Sequence, residues 1–296
     1  MNPWATMPGT FSDSWKLTKT SFRLISADRA LLVFPLVAGL ATIAVIALLI
    51  AAEYWFVAPV ILGGGSRTTL YEVVAIGLFV AAYIAAAFVS VYCTAALVGA
   101  ATLKLNGQQP TAADGWKAAR ARIGRLAVWA LITATVGLVI QAIQRRVGGI
   151  AGAALGAVGG FSWAILTYFM IPILLYEDPR PWPALKRSGQ LFVSTFGRTL
   201  VTNVVLGLLI GLGLFGAVVL GVVGLYFLLG GHLALGLVLL GVAIAVAVIV
   251  ALIGAAAEGI LRAALYRYAT TGKIDPDLMP VGYSTGPGPS GPAPLA

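Results

Sequence analysis

The chain has 296 residues, of which 60% are hydrophobic and 10% charged, with a formal net charge of +9. An average soluble domain carries roughly 25% charged residues, so this much apolar surface excludes a water-soluble globule. Cys93 is the sole cysteine, which excludes an intramolecular disulfide, a zinc cluster and a CxxC redox pair.

Residues 1–29 are mostly polar and read as an amphipathic N-terminal segment. The first apolar run is too long for the h-region of a cleaved signal peptide, so it is expected to stay in the mature protein. Residues 10–16 read T-F-S-D-S-W-K, with Thr10 and Asp13 at capping-box spacing. Phe11, Trp15, Thr18, Phe22 and Ile25 then share one helical stripe, with Lys16, Lys19 and Arg23 off it.

Crossing the hydrocarbon takes about 20 apolar residues as a helix. The first such run is Ala30–Ala52, with Phe34-Pro35 about six residues, or roughly 9 Å, inside its start. Glu53, Gly63-Gly64-Gly65, Arg67 and Glu72 form the next connection; the two carboxylates read as interfacial caps rather than a metal pair. The second run is Val73–Leu103, carrying Ser90, Cys93 and Thr94 near its middle. Residues 111–117, T-A-A-D-G-W-K, repeat the earlier motif: Thr111 and Asp114 cap, Trp116, Ile123 and Leu126 form a stripe, and Lys117 and Arg120 lie off it.

The third run, Leu126–Gln144, holds Thr133 and Thr135. After Arg145-Arg146 the fourth, Val147–Tyr176, holds Ser162, Thr167 and Ile171-Pro172. Gly148, Gly152, Gly156 and Gly160 recur every fourth residue there and predict a smooth strip for close helix packing. A third, degenerate amphipathic segment follows, with Leu185, Phe192 and Phe196 apolar and Lys186 and Arg187 basic. Residues 199–257 then carry no charged side chain, enough for two crossings that turn at Gly230-Gly231-His232. Asn203 lies about five residues into the fifth crossing and has four hydrogen-bonding positions to satisfy. Gly207 and Gly211 offer a second small-residue strip. The end of the chain, rich in Pro, Gly and Ser from Pro280, reads as disordered.

The expected fold class is therefore all-α: a polytopic membrane protein of six transmembrane helices with amphipathic interfacial helices on the cytoplasmic side. The three amphipathic segments, each feeding a hairpin, suggest three parallel repeats of one unit. Sixteen of the nineteen Lys and Arg fall in alternate connections and at the ends, the exceptions being Arg67, Arg145 and Arg146, so both termini are expected in the cytoplasm of a cell membrane. The expected division is 1–29 as the cytoplasmic amphipathic segment, 30–262 as the transmembrane domain and 263–296 as a cytoplasmic tail.

The basic residues Lys16, Lys19, Arg23, Lys117, Arg120, Lys186 and Arg187 are expected to hold anionic lipid, and nucleic acid is not expected as a partner. A homo-oligomer or a membrane partner protein stays open. Pro35 and Pro172, at similar depth, either bend their helices or mark a cavity of a permease or channel between the first and fourth crossings. Ser90, Thr94, Thr133 and Thr167 either line such a path or bond to carbonyls one turn back. With every charge at a helix end or in a loop, no base, nucleophile pair, cofactor site or metal site is expected, so the protein reads as a non-enzyme.

The motifs at 11–18 (F-S-D-S-W-K-L-T), 31–36 (L-L-V-F-P-L), 113–120 (A-D-G-W-K-A-A-R), 167–174 (T-Y-F-M-I-P-I-L), 184–188 (A-L-K-R-S) and 264–273 (A-L-Y-R-Y-A-T-T-G-K) extend over nearly everything before the tail. On them the chain resembles a family of uncharacterised bacterial and archaeal integral membrane proteins, a domain of unknown function. The resemblance implies a multi-helix membrane fold and no established reaction. A more distant likeness to the membrane domain of some glycerophosphodiester phosphodiesterases implies lipid headgroups as ligands and transfers no catalytic residue.

Overall fold

In the computed structural model residues 30–62, 69–177 and 180–271 are described, with side chains except at 30, 53, 55–62, 69–72 and 196–202. Lys16, Lys19, Arg23 and the Pro-rich tail lie outside the described residues, as do the side chains of Glu53, Glu72 and Phe196. The described chain is helical, without a strand: α1 Ala30–Leu62, α2 Thr69–Leu105, α3 Ala112–Ala121, α4 Ile123–Val147, α5 Gly149–Thr167, α6 Met170–Tyr176, α7 Pro181–Ser194, α8 Phe196–Leu229 and α9 Leu233–Thr271.

Among them six stretches are long and apolar enough to cross a membrane: Leu31–Ala52, Val73–Leu105, Ile123–Val147, Gly149–Tyr176, Asn203–Leu229 and Leu233–Thr271. A helix satisfies its own backbone in oil, which is why apolar runs of this length take that form. α9 has 39 residues, about 58 Å at 1.5 Å per residue, so it outruns the roughly 30 Å of hydrocarbon. It continues past residue 262, where the tail was expected, to Thr271.

The helices divide into two compact units, and the chain changes unit inside α1, α2 and α7. One unit comprises Met1–Val33, Ala101–Gln109 and Gln190–Ala296; the other comprises Phe34–Ala100 and Pro110–Gly189. Residues 30–262, expected as one transmembrane block, are shared between them.

In the first unit α8 and α9 form an antiparallel hairpin. Its turn is where Gly230-Gly231-His232 predicts it: Gly231 takes φ +86°, and the His232 N–H reaches back to the Phe227 carbonyl at 3.0 Å, closing the end of α8. The two helices approach closely at Gly213, Gly224, Gly236 and Gly254, which face Val250, Leu240, Leu228 and Ile210. The expected strip is a correction: no neighbouring atom approaches Gly207 or Gly211, and both are exposed. Buried residues concentrate in the last part of α9, including Ala256, Ala257, Ile260, Leu261, Ala263, Leu265 and Tyr266. Leu208, Leu212, Val238 and Ile244, which face outward, are apolar as lipid contact requires.

In the second unit α4 and α5 form another hairpin through a tight glycine turn, with Gly148 and Gly149 at φ +68° and +54°. The glycine strip differs from its prediction in a specific way. Gly148 belongs to the turn, Gly160 has open space beside it, and only Gly152 and Gly156 are buried, both against Gln144 of α4. Trp129 and Trp163 stack between the same two helices with ring centroids 5.7 Å apart. Packing within this hairpin therefore absorbs the middle of the strip.

The fourth crossing is a second correction. It is not one helix bent at Pro172, because the helix ends at Thr167 and restarts at Met170, leaving Tyr168-Phe169 as a turn. Pro172 thus sits in the first turn of α6, where a missing N–H removes no internal bond. Pro35, by contrast, lies inside the continuous helix α1.

Candidate functional site

Two short helices carry several of the charged residues: α3 lies in the second unit, and α7 spans the change of unit at Gly189. α3 starts on a formed capping box: the Asp114 carboxylate accepts the Thr111 N–H at 2.9 Å and the Thr111 hydroxyl at 2.7 Å, and the Asp114 N–H donates to the Thr111 carbonyl at 3.1 Å. Its apolar side is closed by protein. A Cβ at Gly115 would lie 2.6 Å from the Ala96 carbonyl oxygen and 2.5 Å from the Phe34 ring, so only glycine lets α3 lie this close. Trp116 packs on Phe34 and Tyr92 with centroids 5.1 and 5.5 Å apart. Lys117 and Arg120 remain exposed on the other side.

Asp114 titrates accordingly. The Thr111 N–H and hydroxyl hold its carboxyl below the usual carboxylate range, with Lys117 adding a smaller pull. A depressed folded value contributes stability that is present above the unfolded value, about 3.9, and is lost as pH falls through the folded one. The N-terminal amides of α3 should therefore lose protection, relative to their intrinsic exchange rates, as pH drops below about 4. Hydrogen exchange compared with Asp114→Asn checks this, since the variant should show no such step.

α7 buries Ala184, Ser188, Leu191, Phe192 and Thr195, at helical spacing. Of the expected stripe, Phe192 is buried, Leu185 is half-buried, and the Phe196 side chain lies outside the described residues. Ser188, 0% exposed, accepts the Phe169 N–H at 3.1 Å, which supplies the partner that the break in the fourth crossing removed. Arg187 pairs with Glu177 at 3.2 Å, a partly exposed contact worth about 0.2–1 kcal/mol. Lys186 is exposed, and Trp182, 80% exposed, has the amphipathic ring that suits a membrane–water interface.

Thr94 and Thr167 donate to the carbonyls of Ser90 and Trp163, both at 2.8 Å, and Thr135 does the same to Leu131. Ser90 is exposed and Pro35 half-buried. Around Pro172, Phe169, Met170, Ile173 and Leu174 are wholly buried apolar packing. Thr133 is the exception, with a buried hydroxyl that finds no partner among the described residues.

In the first unit the hairpin register puts Asn203 level with the turn of α9 where Glu258 pairs with Arg262. Asn203 is half-buried and has an interaction partner. Arg267 donates to the carbonyl of Leu105, the last residue of α2, where a cation complements the helix dipole. Leu31, Ala101, Lys104, Leu105 and Ile260 line a crevice too narrow to admit water. Sequence reasoning missed Ser188, Gln144 and Gly115 as packing residues and Arg267 as a cap. Only the motifs at 113–120, 184–188 and 264–273, which contain three of them, carried a signal.

Among the described residues six helices are long and apolar enough to cross a membrane, which marks an α-helical multi-pass membrane protein. Residues 70–275 match the model of the Family of unknown function (DUF6159), and the chain belongs to that family. The match covers the motifs from residue 113 onward and leaves out those at 11–18 and 31–36. It lends no support to the glycerophosphodiester phosphodiesterase likeness. No curated protein matches the chain.

Proposed function

We propose that the protein is a non-enzymatic membrane scaffold that holds anionic lipid at the cytoplasmic face of the cell membrane, with both termini in the cytoplasm. One observation carries the reading. α3 and α7 bury one face against protein and expose Lys117, Arg120 and Lys186 on the other, beside the ends of membrane helices. Both are interfacial helices in this reading, and segment 10–29 supplies a third copy of the unit. Arg187, tied to Glu177, serves the fold more than the lipid.

Each well-placed cation near an anionic surface is worth roughly 1 kcal/mol. Removing three, as Lys117→Gln/Arg120→Gln/Lys186→Gln, should weaken retention of phosphatidylglycerol by roughly 100-fold at most. Native mass spectrometry of the full chain from mixed bilayers reads the retained lipid. Equal retention by wild type and triple variant would remove the proposal.

A permease path is the second reading, favoured by the interrupted fourth crossing, since discontinuous helices often frame transport sites. Its freed amide is already bonded to Ser188 and its surroundings are apolar, which supports the scaffold instead.

A further inference from the structure

We propose that the Thr133 hydroxyl and the Tyr83 phenol share one water molecule between α2 and α4. Threonines in apolar helices normally donate to the carbonyl one turn back, as Thr94, Thr135 and Thr167 do. Thr133 does not. Its oxygen is buried and meets no partner among the described residues.

One turn further along the same face of α4 lies Gly137. The Tyr83 phenol oxygen occupies the space beside it, 2.5 Å from where a Cβ would stand, so any other residue would push the ring away. That phenol also makes no hydrogen bond to a described residue. Both groups belong to apolar spans, Val73–Leu105 and Ile123–Val147, where lipid tails offer them nothing.

A hydroxyl at Thr133 and a phenol oxygen beside Gly137, one turn on, are both served by a third group that donates and accepts. Water does this with about two to four partners. The carbonyl of Trp129, one turn behind Thr133, keeps a second lone pair to complete the set. Neither hydroxyl is then left unsatisfied, and α2 is pinned to α4 inside the apolar layer. The inference is independent of the lipid-holding role.

The test is water-edited solid-state NMR on the full chain in lipid nanodiscs. Magnetisation from water should reach the Thr133 side chain in the wild type and fail to reach it in Tyr83→Phe. Thr133→Val and Tyr83→Phe should each lower the melting temperature by about 2–4 °C, and the double variant should be no worse than the single ones. Absence of transfer to Thr133 while exposed Thr111 receives it would overturn the proposal. So would undiminished transfer in Tyr83→Phe, or a raised melting temperature in Thr133→Val, the signature of an orphan hydroxyl in dry packing.

Discussion

Gly152→Ala should lower the melting temperature of the purified protein by roughly 2–10 °C, whereas Gly160→Ala should leave it unchanged or raise it slightly. A methyl at Gly152 would overlap the carbonyl oxygen of Gln144, and backbone in the last turn of α4 has nowhere to go: the Gly148 turn ties it to α5, and the Gln144 carbonyl already accepts the Gly148 N–H at 2.9 Å. Overpacking of this kind costs about 1–3 kcal/mol. At Gly160 no atom stands in the way, so alanine brings only its helix propensity, up to about 1 kcal/mol in its favour. Gly156→Ala should fall between the two. Its methyl would meet the Gln144 side-chain amide, which overlaps more on paper but can swing aside. Thermal unfolding in one fixed detergent, followed by tryptophan fluorescence, ranks the three. Equal melting temperatures for Gly152→Ala and Gly160→Ala would mean that α4 and α5 do not approach as described.

The same comparison shows what was legible in the sequence. Six crossings could be counted because oil imposes one rule on the backbone, and the charge-free run 199–257 with its Gly-Gly-His turn left little choice. A four-residue glycine spacing names a face of an ideal helix but does not say where the helix starts. Gly148 fell in the turn, and Gly160 had open space beside it. On α8 the pattern at Gly207 and Gly211 pointed outward, while Gly213 and Gly224, outside any four-residue repeat, make the contacts. Which face of a membrane helix meets protein is poorly encoded when both faces are apolar, since lipid and core ask for the same side chains. Polar partners distant in sequence were hidden for another reason. Arg267 finds the Leu105 carbonyl across 162 residues, and no local spacing reports such a pair.

Ser188→Ala should destabilise the protein by about 1–3 kcal/mol, the cost of removing the acceptor from a buried hydrogen bond. Proline at 172 reads in the sequence as a kink, but the chain breaks earlier. Pro172 has no N–H to offer the Tyr168 carbonyl, the helix gives way at Tyr168-Phe169, and the freed Phe169 amide is met by a hydroxyl from α7. Both ends of that bond lie where water does not reach: Phe169 and Ser188 are each fully buried. Alanine fills the same space and removes only the acceptor. The Phe169 amide should then exchange with solvent many-fold faster, while amides of the α8–α9 hairpin keep their protection. Ser194→Ala is the matched control, because that hydroxyl bonds within its own helix, to Leu191 at 2.8 Å, and is exposed. Its effect should stay within about 0.5 kcal/mol. If hydrogen exchange at Phe169 were the same in Ser188→Ala as in the wild type, the stitch between the broken crossing and α7 would not be what holds α6. The exposed basic face of α7 would then lack the fixed placement that holding lipid at Lys186 requires.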